Sequence, residues 1–215
     1  MRTKHTTITA TALLALATLT ACTTDNNENP NPTQTQQTQT TNPTPTNTTP
    51  NNTEPIKSDP PKTEEEAIKN AETTVTDYFV AEGIALSENP KQLDAPKQFL
   101  TGQAIENLEH GAQMAIDNDF DFDGQRTFTV DSNQTTTTHG ADINGTKIEF
   151  GSVHLFGCGD LTTLGGISRK TGEPIKYEGD TAVIPTHINV VYNSEKKTWV
   201  IQTIEEDWEN EETRC

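Results

Sequence analysis

The apolar residues between positions 63 and 116 recur at every third or fourth position, which is the period of an amphipathic helix. Thr63 followed by Glu66 has the spacing of a capping box, so the first helix is predicted over residues 64–86. Shorter helices are predicted near residues 93–100 and over residues 101–116. The apolar stripe of the first helix consists of Ile68, Ala71, Val75, Tyr78 and Phe79.

Beyond Gly124 the apolar pattern changes to alternation, which is typical of strands with one buried face. The alternation slips at Gly151, which predicts a bulge. Pro185 must lie at a sheet edge or a bulge, because it has no N–H to donate. Helices followed by long antiparallel strands predict an α+β fold. The predicted strands span residues 126–131, 147–158, 181–192 and 199–204.

Residues 1–22 have the order of parts found in a secretory signal. A basic start is followed by a short apolar core, which ends in Leu19-Thr20-Ala21-Cys22. This ending resembles the lipobox of bacterial lipoproteins, which implies cleavage before Cys22 and a lipid on its thiol. The protein would then lie on the extracytoplasmic face of the cell membrane, held there by acyl chains. The alternative is an ordinary signal peptide with a chance cysteine at its end.

Residues 23–62 are rich in Thr, Asn and Pro, and no large apolar residue occurs between Thr23 and Pro55. Such a segment buries too little surface to offset the entropy of ordering, so a disordered linker is predicted. Its simplest role is a passive spacer between the membrane and a folded domain, and O-glycosylation of the threonines is a further possibility. The folded domain is predicted over residues 63–215.

The net charge of the 215-residue chain is −17 at pH 7, from 32 acidic and 15 basic side chains. This balance argues against a nucleic-acid partner, because binding to phosphates needs a basic face. It leaves open a plain solvated acidic surface or an attraction to cations and basic partners.

The order of elements resembles the nuclear-transport-factor-2-like superfamily. The similar features are the helix over residues 64–86, the segment Val153-x-x-x-x-Cys158-x-Asp160, Gly172 and the strand Trp199-Val200-Ile201. The resemblance implies a cone, in which a curved antiparallel sheet wraps around N-terminal helices. It extends to the surface lipoproteins of actinobacteria that carry this fold, and it covers most of residues 63–215.

Three cysteines occur in the chain. With Cys22 reserved for a lipid, Cys158 and Cys215 form an even pair in an oxidising compartment, which predicts a disulfide. The alternatives are a metal site, for which nearby ligands are few, and a nucleophilic cysteine, for which the last residue of the chain is a poor position.

Asp119, Asp121 and Asp123, followed by Gly124, match the first half of an EF-hand calcium loop. The second half does not match, because Val130 stands where a bidentate acid is expected. Calcium is therefore a candidate ligand of these three aspartates, and the alternative is an acidic connector between a helix and a strand. No other cofactor is indicated.

No set of catalytic residues is recognisable, and His154 and His187 lie on predicted strands without an evident partner. The first functional hypothesis is a non-enzymatic envelope lipoprotein that binds a small ligand or an envelope protein, or acts as a structural spacer. The competing hypothesis is an isomerase or dehydratase that uses a pocket in the cone. A closed apolar cavity with a buried acid or histidine beside a tyrosine would favour the enzyme.

Overall fold

The computed structural model describes residues 54–139, 147–175, 183–207 and 215. All of them belong to one compact unit, Asn47–Cys215. The predicted signal segment, Cys22 and residues 23–53 of the predicted linker lie outside the described residues. Within the described ranges, no helix has the length and apolar character needed to cross a membrane.

Three helices come first, as the apolar period predicts: α1 (Glu64–Glu88), α2 (Asp94–Lys97) and α3 (Gln103–Asp117). Helix α1 begins at the predicted cap, where the hydroxyl of Thr63 accepts a hydrogen bond from the Glu66 N–H at 3.2 Å. The Glu66 carboxylate in turn accepts from the Lys62 N–H. The predicted stripe of α1 faces the core, with Ala71, Val75, Tyr78 and Phe79 all buried. The first helical prediction is thereby confirmed.

The strands form two antiparallel sheets, so the α+β architecture is confirmed. The smaller sheet has the order β1-β5-β6, and the larger has the order β2-β4-β7-β8 with β3 added beside β4. Helix α1 contacts strands of both sheets, which places it at the centre of the core. The strands are β1 (Phe120–Asp123), β2 (Thr127–Val130), β3 (Thr136–Thr138), β4 (Ser152–Asp160), β5 (Gly165–Ser168), β6 (Pro174–Ile175), β7 (Val183–Asn193) and β8 (Thr198–Glu206).

The strand predicted over residues 147–158 begins later than expected, at Ser152. A turn precedes it, in which the Gly151 N–H donates to the Ile148 carbonyl and Phe150 has a φ of 58°. The change of phase at Gly151 therefore marks the end of a turn and not a bulge. The register shift that the structure does contain lies between β7 and β8, at Asn189/Val190.

Pro185 occupies a position that tolerates a missing N–H. On one side it lies opposite Cys158 of β4, and on the other side its carbonyl accepts from the Asp207 N–H, just beyond the end of β8. The sheet therefore loses only a terminal hydrogen bond there, as expected for proline in a sheet.

The folded unit extends into the predicted linker. Lys57 pairs with Thr198, the Ser58 N–H donates to the Lys197 carbonyl at 2.8 Å, and the Tyr192 hydroxyl donates to the Ser58 carbonyl at 2.7 Å. Contacts of the folded unit therefore begin before residue 62, the predicted end of the linker. These contacts cover the start of β8, which is otherwise an open edge of the larger sheet.

The structure joins Cys158 and Cys215 in a disulfide, with the Cα atoms 5.8 Å apart. Cys158 lies on β4, and strand alternation places its neighbours Gly157 and Gly159 on the opposite face of the sheet. The bond thus attaches the last residue of the chain to the face of the larger sheet that points away from the helices.

Candidate functional site

A cavity of about 420 Å³ lies between the helices and the two sheets. This size falls at the lower end of the range of small-molecule pockets, about 300–1,000 Å³. Its walls are mainly apolar, and its floor carries the only charged side chains among its described lining residues. The lining comes from α1 (Tyr78, Phe79, Glu82, Gly83, Leu86), α3 (Ala104, Asn107, Leu108, Gly111, Met114), β1 and the following turn (Phe122, Gln125, Arg126), the turn after β4 (Leu161, Leu164) and β8 (Ile204, Glu206).

Arg126 organises the polar floor. Its Nε and Nη2 donate to the two carboxylate oxygens of Glu82, each at 2.7 Å, and its Nη1 donates to Glu206 Oε1 at 3.0 Å. The Tyr78 hydroxyl donates to Glu82 Oε1 at 2.7 Å. The guanidinium carbon also lies 4.4 Å from the centre of the Phe79 ring, within the range of a cation–π contact. We call Glu82, Arg126 and Glu206 the floor triad.

The triad is largely shielded from water, since the side chains of Glu82, Arg126 and Glu206 are 10%, 19% and 24% exposed. Burial alone would lower the pKa of Arg126, but the carboxylate of Glu82, with Tyr78 and Glu206, holds that pKa above its usual value. Burial raises the pKa of Tyr78 well above its usual value, and the adjacent charge of Glu82 adds to the effect. Arg126 is therefore always a cation and Tyr78 a neutral donor at physiological pH.

Local sequence explains how the three side chains meet. Glu82 follows Tyr78 by one helical turn on the buried side of α1, so the tyrosine hydroxyl reaches its carboxylate. Arg126 stands just before β2. Glu206 is the last residue of β8, and strand alternation turns it inward while Glu205 points to the opposite face.

The cavity opens at α3, where the lining residues Asn107 and Met114 are exposed. Gly111 lies between them on the same helix, and a Cβ added there would meet no heavy atom within 4 Å. A glycine inside a helix costs stability relative to alanine, and no close backbone approach requires one here. The absence of a side chain at position 111 widens the opening.

The floor triad suits binding better than proton transfer. Both oxygens of Glu82 accept hydrogen bonds, three in all, and the Tyr78 hydroxyl is committed to one of them. A general base needs a lone pair directed at its substrate, and an oxyanion needs a free donor. Glu82 has both oxygens engaged and the Tyr78 hydroxyl is already donating, although they are an acid beside a tyrosine in a cavity.

The three aspartates predicted to bind calcium lie on or beside a strand. Asp121 and Asp123 belong to β1, which pairs with β5, and Asp119 precedes it with a φ of 55°. Arg169 holds the Asp121 carboxylate through Nε at 2.8 Å and Nη2 at 2.7 Å. Within the described ranges, no three side chains of the metal-binding types are close enough together to hold an ion.

The sequence Asp119 to Asp123 therefore has a different explanation from an EF-hand. Phe120 and Phe122 alternate with the aspartates, and both phenylalanines are buried while Asp123 is exposed. This is the period of a strand with one buried face. The calcium hypothesis gains no support from this geometry.

The predicted strand histidines lie on the outer face of the larger sheet. His154 and His187 are exposed, and the His187 ring contacts the Phe156 ring with centroids 4.6 Å apart. Neither lines the cavity of the floor triad. Cys158 and Cys215 also lie outside that cavity, and Cys22 lies outside the described residues.

Sequence reasoning missed all three residues of the floor triad. A signal for Glu82 was present, because it falls one turn after Tyr78 in the apolar stripe of α1. Arg126 carried no sequence signal for this role, because its contact with Glu82 spans 44 residues. Glu206 had no signal, because its contact with Arg126 spans 80 residues.

The chain matches no protein-family model and no curated protein sequence. Among solved structures it is similar to the intermembrane space region of the chloroplast protein ARC6, at 15% sequence identity and a TM-score of 0.39. The match covers 64% of this chain and 94% of that one. A TM-score this low identifies neither a fold family nor a function.

Proposed function

We propose that this protein is a lipoprotein on the extracytoplasmic face of the cell membrane, and that its acidic domain is a small-molecule binding module. The cavity above the floor triad is the observation that carries the binding function. It combines apolar walls with a few convergent polar groups, which is the usual composition of a ligand pocket.

The proposed anchor rests on Leu19-Thr20-Ala21-Cys22, and the proposed spacer rests on the Thr-, Asn- and Pro-rich residues that follow. We further propose that the domain is a cone of the nuclear-transport-factor-2-like type. The central position of α1 between both sheets supports this interpretation. In such a cone the cavity would be the space that the helices and the sheet leave open at one end.

Ligand binding is favoured over the isomerase or dehydratase alternative because Tyr78, the tyrosine donor that an oxyanion would need, is already committed to Glu82. A small ligand is favoured over an envelope protein as the occupant of this site because the charged groups line a cavity and are at most 24% exposed. An envelope protein remains a proposed partner for the rest of the surface.

Filling the cavity tests the binding function. Gly111→Leu places a side chain in open space at the cavity mouth, and Gly111→Ala is the matched control with the smallest added group. Each full-length protein is screened by thermal denaturation against a panel of small alkyl and aryl compounds. A ligand raises the Tm of any protein that binds it in the folded state. We expect compounds that raise the Tm of the wild type and of Gly111→Ala but not of Gly111→Leu; equal shifts in all three would place binding elsewhere.

The anchor is tested separately, by phase partition of the protein between water and detergent after expression in a bacterium that processes lipoproteins. The wild type should enter the detergent phase, and Cys22→Ala should not. A wild type that stays in the aqueous phase with an unmodified Cys22 would overturn the proposed localisation.

A further inference from the structure

The floor triad carries a net negative charge inside a largely shielded cavity. Glu82 and Glu206 contribute two negative charges and Arg126 one positive charge, so the sum is −1. No other side chain among the described lining residues is charged. An uncompensated charge that is shielded from water is unfavourable, and the charge of the whole protein, −17, has the same sign.

The open hydrogen-bonding position of the triad belongs to Glu206. Glu82 uses both oxygens, toward Arg126 and Tyr78. Glu206 accepts through Oε1 from Arg126, and its Oε2 has no hydrogen-bond partner within the described part of the chain. Glu206 is also the most exposed member of the triad, at 24%. A ligand that reaches the floor therefore meets a carboxylate oxygen that is free to accept a hydrogen bond.

We infer that the ligand is a small amphipathic amine, with its protonated nitrogen against the Glu206 carboxylate and its apolar body against the cavity walls. This inference rests on the proposed binding function and specifies its ligand class. The ammonium donates to the open oxygen and cancels the net charge of the triad. The apolar body lies against Leu108, Met114 and Leu164, which line the same cavity.

Ligands with a carboxylate or an alcohol head group fit the cavity less well. A carboxylate ligand would compete with two resident carboxylates for Arg126 and would add a second net negative charge. An alcohol donates a hydrogen bond but leaves the charge of the triad uncompensated. A hydrogen bond between charged groups contributes roughly twice as much as one between neutral groups.

The inference is tested by calorimetric titration of the full-length protein with n-hexylamine, 1-hexanol and hexanoate, which share one alkyl chain and differ in the head group. At neutral pH we expect hexylammonium to bind about tenfold more tightly than hexanol, a ratio that corresponds to about 1.4 kcal/mol. Hexanoate should bind more weakly than hexanol. The inference would be overturned if either hexanoate or hexanol bound as tightly as hexylammonium.

A matched pair of variants assigns the preference to one side chain. Glu206→Gln removes the charge and keeps an oxygen for Arg126. Glu205→Gln removes the same charge from the neighbouring residue, which lies on the opposite face of β8. The roughly tenfold preference for hexylammonium over hexanol should disappear in Glu206→Gln and persist in Glu205→Gln. Equal loss in both variants would mean that only the overall charge of the protein matters.

The two proposals fail in different ways. If none of the three probes binds and Gly111→Leu changes nothing in the thermal screen, the cavity is not a binding site and the proposed function fails. If the probes bind in a manner that Gly111→Leu abolishes, but without preference for the ammonium, the function stands and the assignment of the ligand class fails.

Discussion

Removing Arg126 should destabilise the fold far more than removing another arginine that also contacts a carboxylate through two nitrogens. Arg126→Met keeps much of the side-chain stem but leaves Glu82 and Glu206 without their cation. Breaking a buried ion pair by removing one partner costs about 3–5 kcal/mol. Because the triad is partly exposed, at 10–24%, we expect about 3 kcal/mol of lost unfolding free energy.

Arg169→Met is the control. Arg169 also holds a carboxylate through two nitrogens, at 2.7–2.8 Å from Asp121. Its pair is more exposed, however, with 29% and 36% of the two side chains accessible. Pairs near the surface contribute about 0.2–1 kcal/mol, so this variant should lose less than 1 kcal/mol.

The assay is equilibrium unfolding in urea, followed by tryptophan fluorescence with the disulfide intact, because Trp199 is buried in the core. The double variant Arg126→Met/Glu82→Gln should recover part of the loss, since it removes the buried charge that Arg126→Met leaves unpaired. If Arg126→Met were no more destabilising than Arg169→Met, the floor triad would not be an energetically coupled group, and the reasoning from its burial would be wrong.

Three further predictions concern residues outside the floor triad. Gly111→Ala should raise the unfolding free energy by about 0.5–1 kcal/mol, because position 111 is helical and unobstructed. Gly124→Ala should lower the unfolding free energy by at least about 1 kcal/mol. The reason is that Gly124 has a φ of 85° and that an added Cβ would collide with the Thr163 carbonyl oxygen. If the two alanine variants changed the unfolding free energy equally in urea, both assignments would be contradicted. Because the pKa of Tyr78 is raised in the folded protein, unfolding free energy should fall as pH rises above about 10, where the tyrosine ionises in the unfolded chain but not in the folded one. Tyr78→Phe should lessen this alkaline loss relative to the wild type, and an unchanged pH dependence would show that Tyr78 is not its source. Replacing Cys158 and Cys215 together with serine should lower the unfolding free energy by up to about 4 kcal/mol, which is the chain-entropy value for cysteines 57 residues apart. A variant as stable as the oxidised wild type would show that the bond does not constrain the unfolded chain.

The helical part of the fold could be predicted from sequence because its signals are local. The cap at Thr63 and the apolar stripe of α1 each lie within one helix, and both occur where the period places them. The disulfide between Cys158 and Cys215 could be predicted from cysteine parity together with the expectation of an oxidising compartment.

Two of the missed strands, β3 and β5, lack the apolar alternation on which strand prediction depends, whereas β1 has that alternation but also matches the start of a calcium loop. Strand β3 is a run of threonines, with no apolar alternation. Strand β5 begins with Gly165 and Gly166, a pair that favours a turn in sequence analysis. The structure gives a reason for the glycine at position 166, since a Cβ there would lie 3.2 Å from the Phe120 ring.

The floor triad could not be predicted because its contacts are long-range. Arg126 meets Glu82 from 44 residues away and Glu206 from 80, and only the completed fold brings them together. The chemistry of the proposed site therefore depends on tertiary structure, whereas the proposed anchor depends on a short segment of sequence.

The most direct test of the central claim is nuclear magnetic resonance of the isotope-labelled full-length protein during titration with n-hexylamine. If the cavity is the binding site, the largest shift changes should occur at residues that line it, with Gly111, Leu164 and Glu206 among them, and they should be absent in Gly111→Leu. Shift changes confined to the outer face around His154 and His187, or no saturable changes at all, would contradict the account.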